Sequence, residues 1–333
     1  MGKQRAHNPA ALDFHAGLVR ISLVCGYAFS GFFSTGVVIW GNKKNLINQS
    51  SRHMTASNKN SQLCPNCRGL ISRNETVCPY CGLKSPGSWW KNSGFFRLFQ
   101  DPDLFLKGLV GVNIAFFVLS LIISPGGMGM AMSPFSFLSP DNRGLLLLGA
   151  TGVMPIESLH RWWTLVSASY LHGSLLHLVF NLIALRQIGP LIIQEYGLSR
   201  MFTIYTLGGI GGFLLSYLAG VHFTIGASAA VCALVGAAIY YGKSRGGSYG
   251  RQVFQQVGGW ALSIFVFGLL VPGINNWAHG GGMAAGILCG LLLGYQENRR
   301  EMLNHRLFGA ACALGTILIL IWAVLTAIFY RIS

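Results

Sequence analysis

From about residue 104 onward the chain alternates long apolar runs with short polar breaks. Seven runs stand out, at 109–123, 171–188, 202–218, 228–241, 257–270, 277–293 and 308–330. Several are shorter than the ~20 residues a helix needs to cross a bilayer. Their glycine-rich or polar flanks are therefore expected to be helical as well. A long Gly- and Pro-containing stretch separates the first two runs and reads as a loop reaching to about His160. An earlier apolar stretch, residues 16–41, contains Arg20 and several Gly and Ser. It reads as an extra membrane span, as an uncleaved signal-like segment, or as part of an over-long start ahead of Met54. Residues 1–53 thus form an N-terminal extension of open status.

Composition sharpens the class. The 333 residues are 52% hydrophobic and only 10% charged, where a soluble domain carries about a quarter charged residues. This is an all-α polytopic membrane protein with a small polar part. The formal charge of +15 does not imply nucleic acid, because Lys and Arg lie mainly in the polar N-terminal stretch and in short breaks between apolar runs. Arg186, near the end of run two, and Arg200 fall around the break between runs two and three, Lys243, Arg245 and Arg251 between four and five, and Arg299, Arg300 and Arg306 between six and seven. The breaks between three and four and between five and six carry neither Lys nor Arg. Positive charge marks the cytoplasmic side, so the heads of runs four and six are expected toward the outer face.

Four of the eight cysteines form one cluster, Cys64-Pro-Asn-Cys67 and Cys78-Pro-Tyr-Cys81. Each knuckle aims two thiolates at one ion, and four thiolates suit Zn²⁺. A pair of disulfides is the alternative and would need an oxidising compartment. Residues 62–84 therefore read as a zinc ribbon. It is structural or partner-binding, since four protein ligands leave no open position for chemistry. Residues 85–103, with Trp89, Trp90, Phe95, Phe96 and Phe99 beside Lys91 and Arg97, read as an interfacial linker. Cys25, Cys232, Cys289 and Cys312 are scattered in apolar runs and read as small buried hydrophobes.

The candidate chemistry lies at the heads of three runs. Ser228 follows Gly226-Ala227 and opens run four; His279 follows Trp277-Ala278 near the start of run six. A lone serine in a membrane helix is commonly a packing residue, and a lone histidine can be a satisfied core group. Together on one leaflet they make a nucleophile and a base, because a hydroxyl needs a neighbouring imidazole to take its proton. Gly282 and Gly286, four apart, offer a groove for a close helix partner, with Gly226 and Gly236 on or before run four. In His172-Gly-Ser-Leu-Leu-His177-Leu-Val-Phe-Asn181, His177 and Asn181 share a helix face. They are candidate donors to an oxyanion, or members of a structural polar network.

These motifs, HGSLLHLVFN, GAS and AHGGGMAAG in this order, resemble the rhomboid intramembrane serine proteases. The resemblance implies a six-helix core over 104–296 with an additional helix at 306–330. It also implies Ser228 as nucleophile, His279 as general base and acid, and His177, Asn181 and the Ser228 N–H as oxyanion hole. His172 is implied to be structural, and Glu157, Arg161 and Trp162 to lie in the first-loop region that caps the site. No catalytic cofactor is implied. The expected substrates are transmembrane proteins cut near the outer leaflet of a bacterial inner membrane, with the ribbon in the cytoplasm as a candidate docking module for a protein partner. The alternative is a catalytically inactive rhomboid-like protein that binds client helices. Two positions depart from the family. Ala229 stands where Gly usually follows the serine, its methyl expected to face the oxyanion region. Cys232 stands where an aromatic often stacks on the histidine.

Overall fold

A computed structural model describes residues 60–88 except Asn66 and Arg68, then 101–124, 129–130, 137–299 and 301–332. The N-terminal extension and most of the aromatic linker lie outside these residues.

The ribbon is a two-stranded antiparallel hairpin, β1 (Ser61–Leu63) and β2 (Leu70–Ser72), with Gln62 opposite Ile71. Ile71 is buried against Cys64 and Cys78, and among the described residues of the ribbon Pro86 is the one other buried apolar side chain. A fold this small cannot stabilise itself by apolar burial and needs a cross-link or an ion.

Seven long helices follow among the described residues: α1 (Pro102–Ile123), α4 (Leu175–Tyr196), α5 (Leu198–Leu218), α6 (Ser228–Arg245), α7 (Gly247–Leu270), α8 (Asn276–Leu293) and α9 (Leu303–Ile332). Five are long and apolar enough to cross a membrane. The exceptions, α6 and α8, have 18 residues each and carry Ser228 and His279. The start signals are chemical. Asp101 caps α1 by accepting from Asp103 and Leu104 N–H, with Pro102 next. Ser174 caps α4 by accepting from His177 N–H at 3.2 Å.

The described part of the stretch between α1 and α4 is more ordered than its glycines and prolines suggest. It contains a short hairpin, β3 (Gly129–Met130) with β4 (Phe137–Ser139), and two short helices, α2 (Asn142–Leu147) and α3 (Thr164–Ser167). Between these helices lies a single wide turn, Met154–Ser158. The second apolar run begins as a helix only at Leu175, so His172 sits in the approach to α4. That helix continues through Pro190 to Tyr196, past its expected end at residue 188. Proline removes one hydrogen bond, but the surrounding residues Ile188, Gly189, Ile192 and Ile193 are buried and packing holds the turn.

This extension corrects the charge reading. Arg186 lies within α4 and Arg200 within the first turn of α5. Arg200 is fully buried, donating to Leu293 O and Gly294 O at 3.2 and 2.6 Å. Its charge meets the carbonyl end of α8, where a cation is favoured, and so is no loop charge.

At the centre is α6, buried from Ala229 to Ala238. Small residues let its neighbours reach the backbone. A methyl on Gly282 or Gly286 of α8 would overlap the carbonyl oxygens of Ala229 and Ala233 respectively, and one on Gly236 that of Met283. Numbers rise together along both helices, so α6 and α8 are parallel. Gly212 and Gly208 of α5 meet Ala229 and Ala233 in falling order, so α5 is antiparallel to both.

Candidate functional site

The helix directions bring the three polar heads to one end of the core. Ser228 is the first residue of α6 and half-buried; His279, on the fourth position of α8, is 7% exposed. Ser228 precedes Ala229 by one residue and His279 precedes Gly282 by three, and Ala229 and Gly282 are in contact. Both residues therefore sit on one level. Among the described residues no hydrogen bond joins the Ser228 hydroxyl to the His279 ring. Among the described residues His279 Nδ1 is buried without a hydrogen-bond partner.

Gly226 links the nucleophile to α4. Its φ of +123° is a conformation that side chains rarely adopt. A Cβ there would lie 2.8 Å from both Cε1 and Nε2 of His177, and 3.6 Å from Ser228 Oγ. The His177 ring thus faces the segment that presents Ser228. Its Nδ1 is turned the other way, accepting from Gly173 N–H at 3.4 Å. Asn181, 6% exposed, donates to His177 O at 3.0 Å. His172 is fully buried and packs edge-on to His177, with ring centres 5.2 Å apart.

Helix α6 makes its first backbone bond from Val231 N–H to Ala227 O at 2.9 Å. Helix geometry leaves the earlier N–H groups, Ser228's among them, without an intrahelical acceptor. The positive end of the helix therefore lies at the hydroxyl.

The two departures turn out differently. The Ala229 methyl does not face the oxyanion region. It packs beside Gly212 and in a cluster with Phe213, Ala168 and Ala278. Residue 229 falls about 100° around the helix from 228, onto the face that meets α5 and α8. Cys232 is buried inside α6 as a small apolar filler.

The first loop covers this end. Arg161 donates to Leu146 O at 3.2 Å. The Trp162 and Tyr217 rings meet edge-on at 5.5 Å, and Tyr217 donates to Glu157 at 3.2 Å. Thr151 and Thr224 pair through both backbone groups, at 3.1 and 2.7 Å, tying the loop to the segment before Ser228. Sequence reasoning passed over Thr224 and Asn275. The only signal for Asn275 was its place as a helix-capping residue ahead of α8.

At the ribbon, the sulfurs of Cys64, Cys67, Cys78 and Cys81 all lie within 4.8 Å of one another. Cys64–Cys81 and Cys67–Cys78 are each 3.7 Å apart, and none of the four is in a disulfide. This donor set can hold a single metal ion.

Fold and site define a polytopic membrane protein whose serine, histidines and asparagine gather at one end of a close-packed helical core. Residues 159–296 match the family model described as the Rhomboid domain, and the chain contains a rhomboid domain. It is 30% identical over 200 residues to RHOMBOID-like protein 4 of Arabidopsis thaliana, covering 55% of this chain and 51% of that one. RHOMBOID-like protein 6, mitochondrial, of the same plant is 30% identical over 184 residues, covering 52% and 58%. Rhomboid protease GluP of Bacillus subtilis is 31% identical over 138 residues, covering 40% and 26%. The chain spans about half the length of the first two and about a quarter of the third. Relatives from a plant, one of them designated mitochondrial, give no support to the expected bacterial inner membrane. The chain is an integral membrane protein.

Proposed function

We propose that this protein is an intramembrane serine endopeptidase in which Ser228 and His279 form a catalytic dyad that cleaves transmembrane proteins. The observation that carries the reading is the register of α6 on α8. Backbone contact at Ala229–Gly282 holds a hydroxyl and an imidazole, 51 positions apart in the chain, at one level of one end of the core. A hydrogen bond between them is not required at rest, because catalytic hydrogen bonds often tighten only with substrate bound. The rhomboid domain, and the name of one relative as a protease, point the same way.

In this mechanism His279 takes the Ser228 proton as the oxygen attacks the scissile carbonyl. The oxyanion meets the Ser228 N–H, His177 Nε2–H and the second amide hydrogen of Asn181, the first being held by His177 O. His279 then gives its proton to the leaving amine, and water, activated by the same imidazole, hydrolyses the acyl-enzyme. A substrate helix must unwind to present a carbonyl, so helix-destabilising residues near its end should mark good substrates. The core is taken as 104–296, with the seventh helix and the ribbon as additions. Lys243 and Arg245 in the last turn of α6, with Arg299 after α8, favour a cytoplasmic position for the opposite end and an outward-facing dyad. The ribbon is taken to hold Zn²⁺ on the cytoplasmic side. Four thiolates at about 2.3 Å from one ion lie about 3.8 Å apart, close to the 3.7 Å seen for two sulfur pairs. It is a candidate docking module for a protein partner.

The test is cleavage of a single-span model substrate by wild type and by Ser228→Ala, with fluorophosphonate labelling of Ser228 that requires His279. Cleavage by Ser228→Ala, or a wild type that neither cleaves nor labels, would sink the proposal. The second reading, an inactive rhomboid-like protein that binds client helices, is favoured by the unpartnered His279 Nδ1 and the missing Ser228–His279 bond; it predicts no labelling.

A further inference from the structure

The geometry points to Asn275 as a positioning residue that locks the segment leading to Ser228 against the helix carrying His279. The inference rests on the reading of Ser228 and His279 as the reacting pair. Asn275 works in three directions. Its Oδ1 accepts from Ala278 N–H at 3.1 Å and caps α8. Its Nδ2 donates to Ser216 Oγ on α5 at 2.6 Å and to Thr224 Oγ1 at 3.0 Å. Its carbonyl oxygen accepts from His279 N–H at 3.2 Å. Thr224 stands four residues before Ser228 and is paired with Thr151 of the first loop, whose hydroxyl accepts from Thr164 at 3.0 Å. One side chain therefore touches α5, the nucleophile segment and the base helix.

The chemistry exceeds what a cap needs. Serine or aspartate caps a helix as well as asparagine does, but only a carboxamide offers an acceptor for the cap and two N–H donors besides. Both donors are spent on hydroxyls of the two neighbouring elements. The glycine contacts along α6 and α8 set the distance between these helices, yet contacts without directional bonds resist axial sliding weakly. A displacement of about 1 Å at a reacting pair can cost up to about a hundredfold in rate, so a directional tie at the head of α8 has work to do.

The experiment compares rate constants for fluorophosphonate labelling of Ser228 in the full-length protein, with melting temperature followed in parallel. Asn275→Ser keeps a cap and removes both donors. Labelling should slow by about tenfold or more, cleavage should fall in kcat with KM unchanged, and the melting temperature should hold. The double variant Ser216→Ala/Thr224→Val removes the two acceptors, leaves the cap, and should fall by the same factor. Adding Asn275→Ser to it should then change nothing further. Wild-type labelling rates in either variant overturn the role of Asn275 while the protease reading stands. A loss that follows a lowered melting temperature in both variants assigns Asn275 to stability alone and also overturns it. A wild type in which Ser228 does not label removes the protease reading, and this inference with it.

Discussion

The guanidinium of Arg161 lies 5.4 Å from the centre of the Tyr330 ring, so the far end of α9 touches the first loop. The rest of α9 is held along one stripe. Gly309 meets Ser199, and Ala313, Thr316, Leu320, Ala323 and Ala327 are buried, a spacing of three and four that keeps one helix face inward. The helix appended to the core thus ends as a support for the loop over Ser228.

A cation over an aromatic face is worth about 0.5–1 kcal/mol at an exposed site. Tyr330→Ala should lower cleavage of a membrane substrate by about threefold, while Tyr330→Trp should keep wild-type rates. Equal loss in both variants would show that the aromatic face is not what counts.

Gly226 has two reasons to be glycine, its φ of +123° and the His177 ring in the space a side chain would take. Gly226→Ala should cost about 1–3 kcal/mol in stability and displace His177. Labelling of Ser228 should fall more steeply than the melting temperature. Unchanged labelling would mean that the His177 ring is not held by this contact.

Gly282 and Gly286 admit no side chain without moving α8. Gly286→Val should separate α8 from α6 while leaving the protein inserted in membranes. Labelling of Ser228 should drop at least tenfold, since a lateral shift of about an ångström suffices. Gly280, whose added methyl meets nothing within 4 Å, serves as the control, and Gly280→Ala should label at the wild-type rate.

The ribbon should bind one metal ion per chain, and elemental analysis of reduced protein should find zinc. Replacing Cys64 with Ser should abolish that binding and expose β1 and β2 to proteolysis, because metal binding and folding are one equilibrium in so small a unit. Protein that retains stoichiometric zinc after Cys64→Ser would refute the four-cysteine site.

Residue order alone determined whatever depends on local chemistry. Apolar runs bounded by polar breaks must become helices in lipid, since no other open chain satisfies its backbone there. The knuckle spacing of Cys64, Cys67, Cys78 and Cys81 clusters thiols, and the four-residue spacing of His177 and Asn181 puts both on one face. What it left undecided are contacts between residues distant in the chain. Ala229 was expected to face the oxyanion region, yet helix rotation turns its methyl onto Gly212. Arg200 was counted as a loop charge, yet α4 runs on through Pro190 and the guanidinium is buried against the end of α8. Asn275 and Tyr330 carry no motif, and their partners Ser216, Thr224 and Arg161 lie between 51 and 169 positions away. Only the packing of α5, α8 and α9 onto α6 and the first loop decides those meetings, because the directions of side chains across an interface are set by helix rotation and register, which no stretch of a single helix encodes.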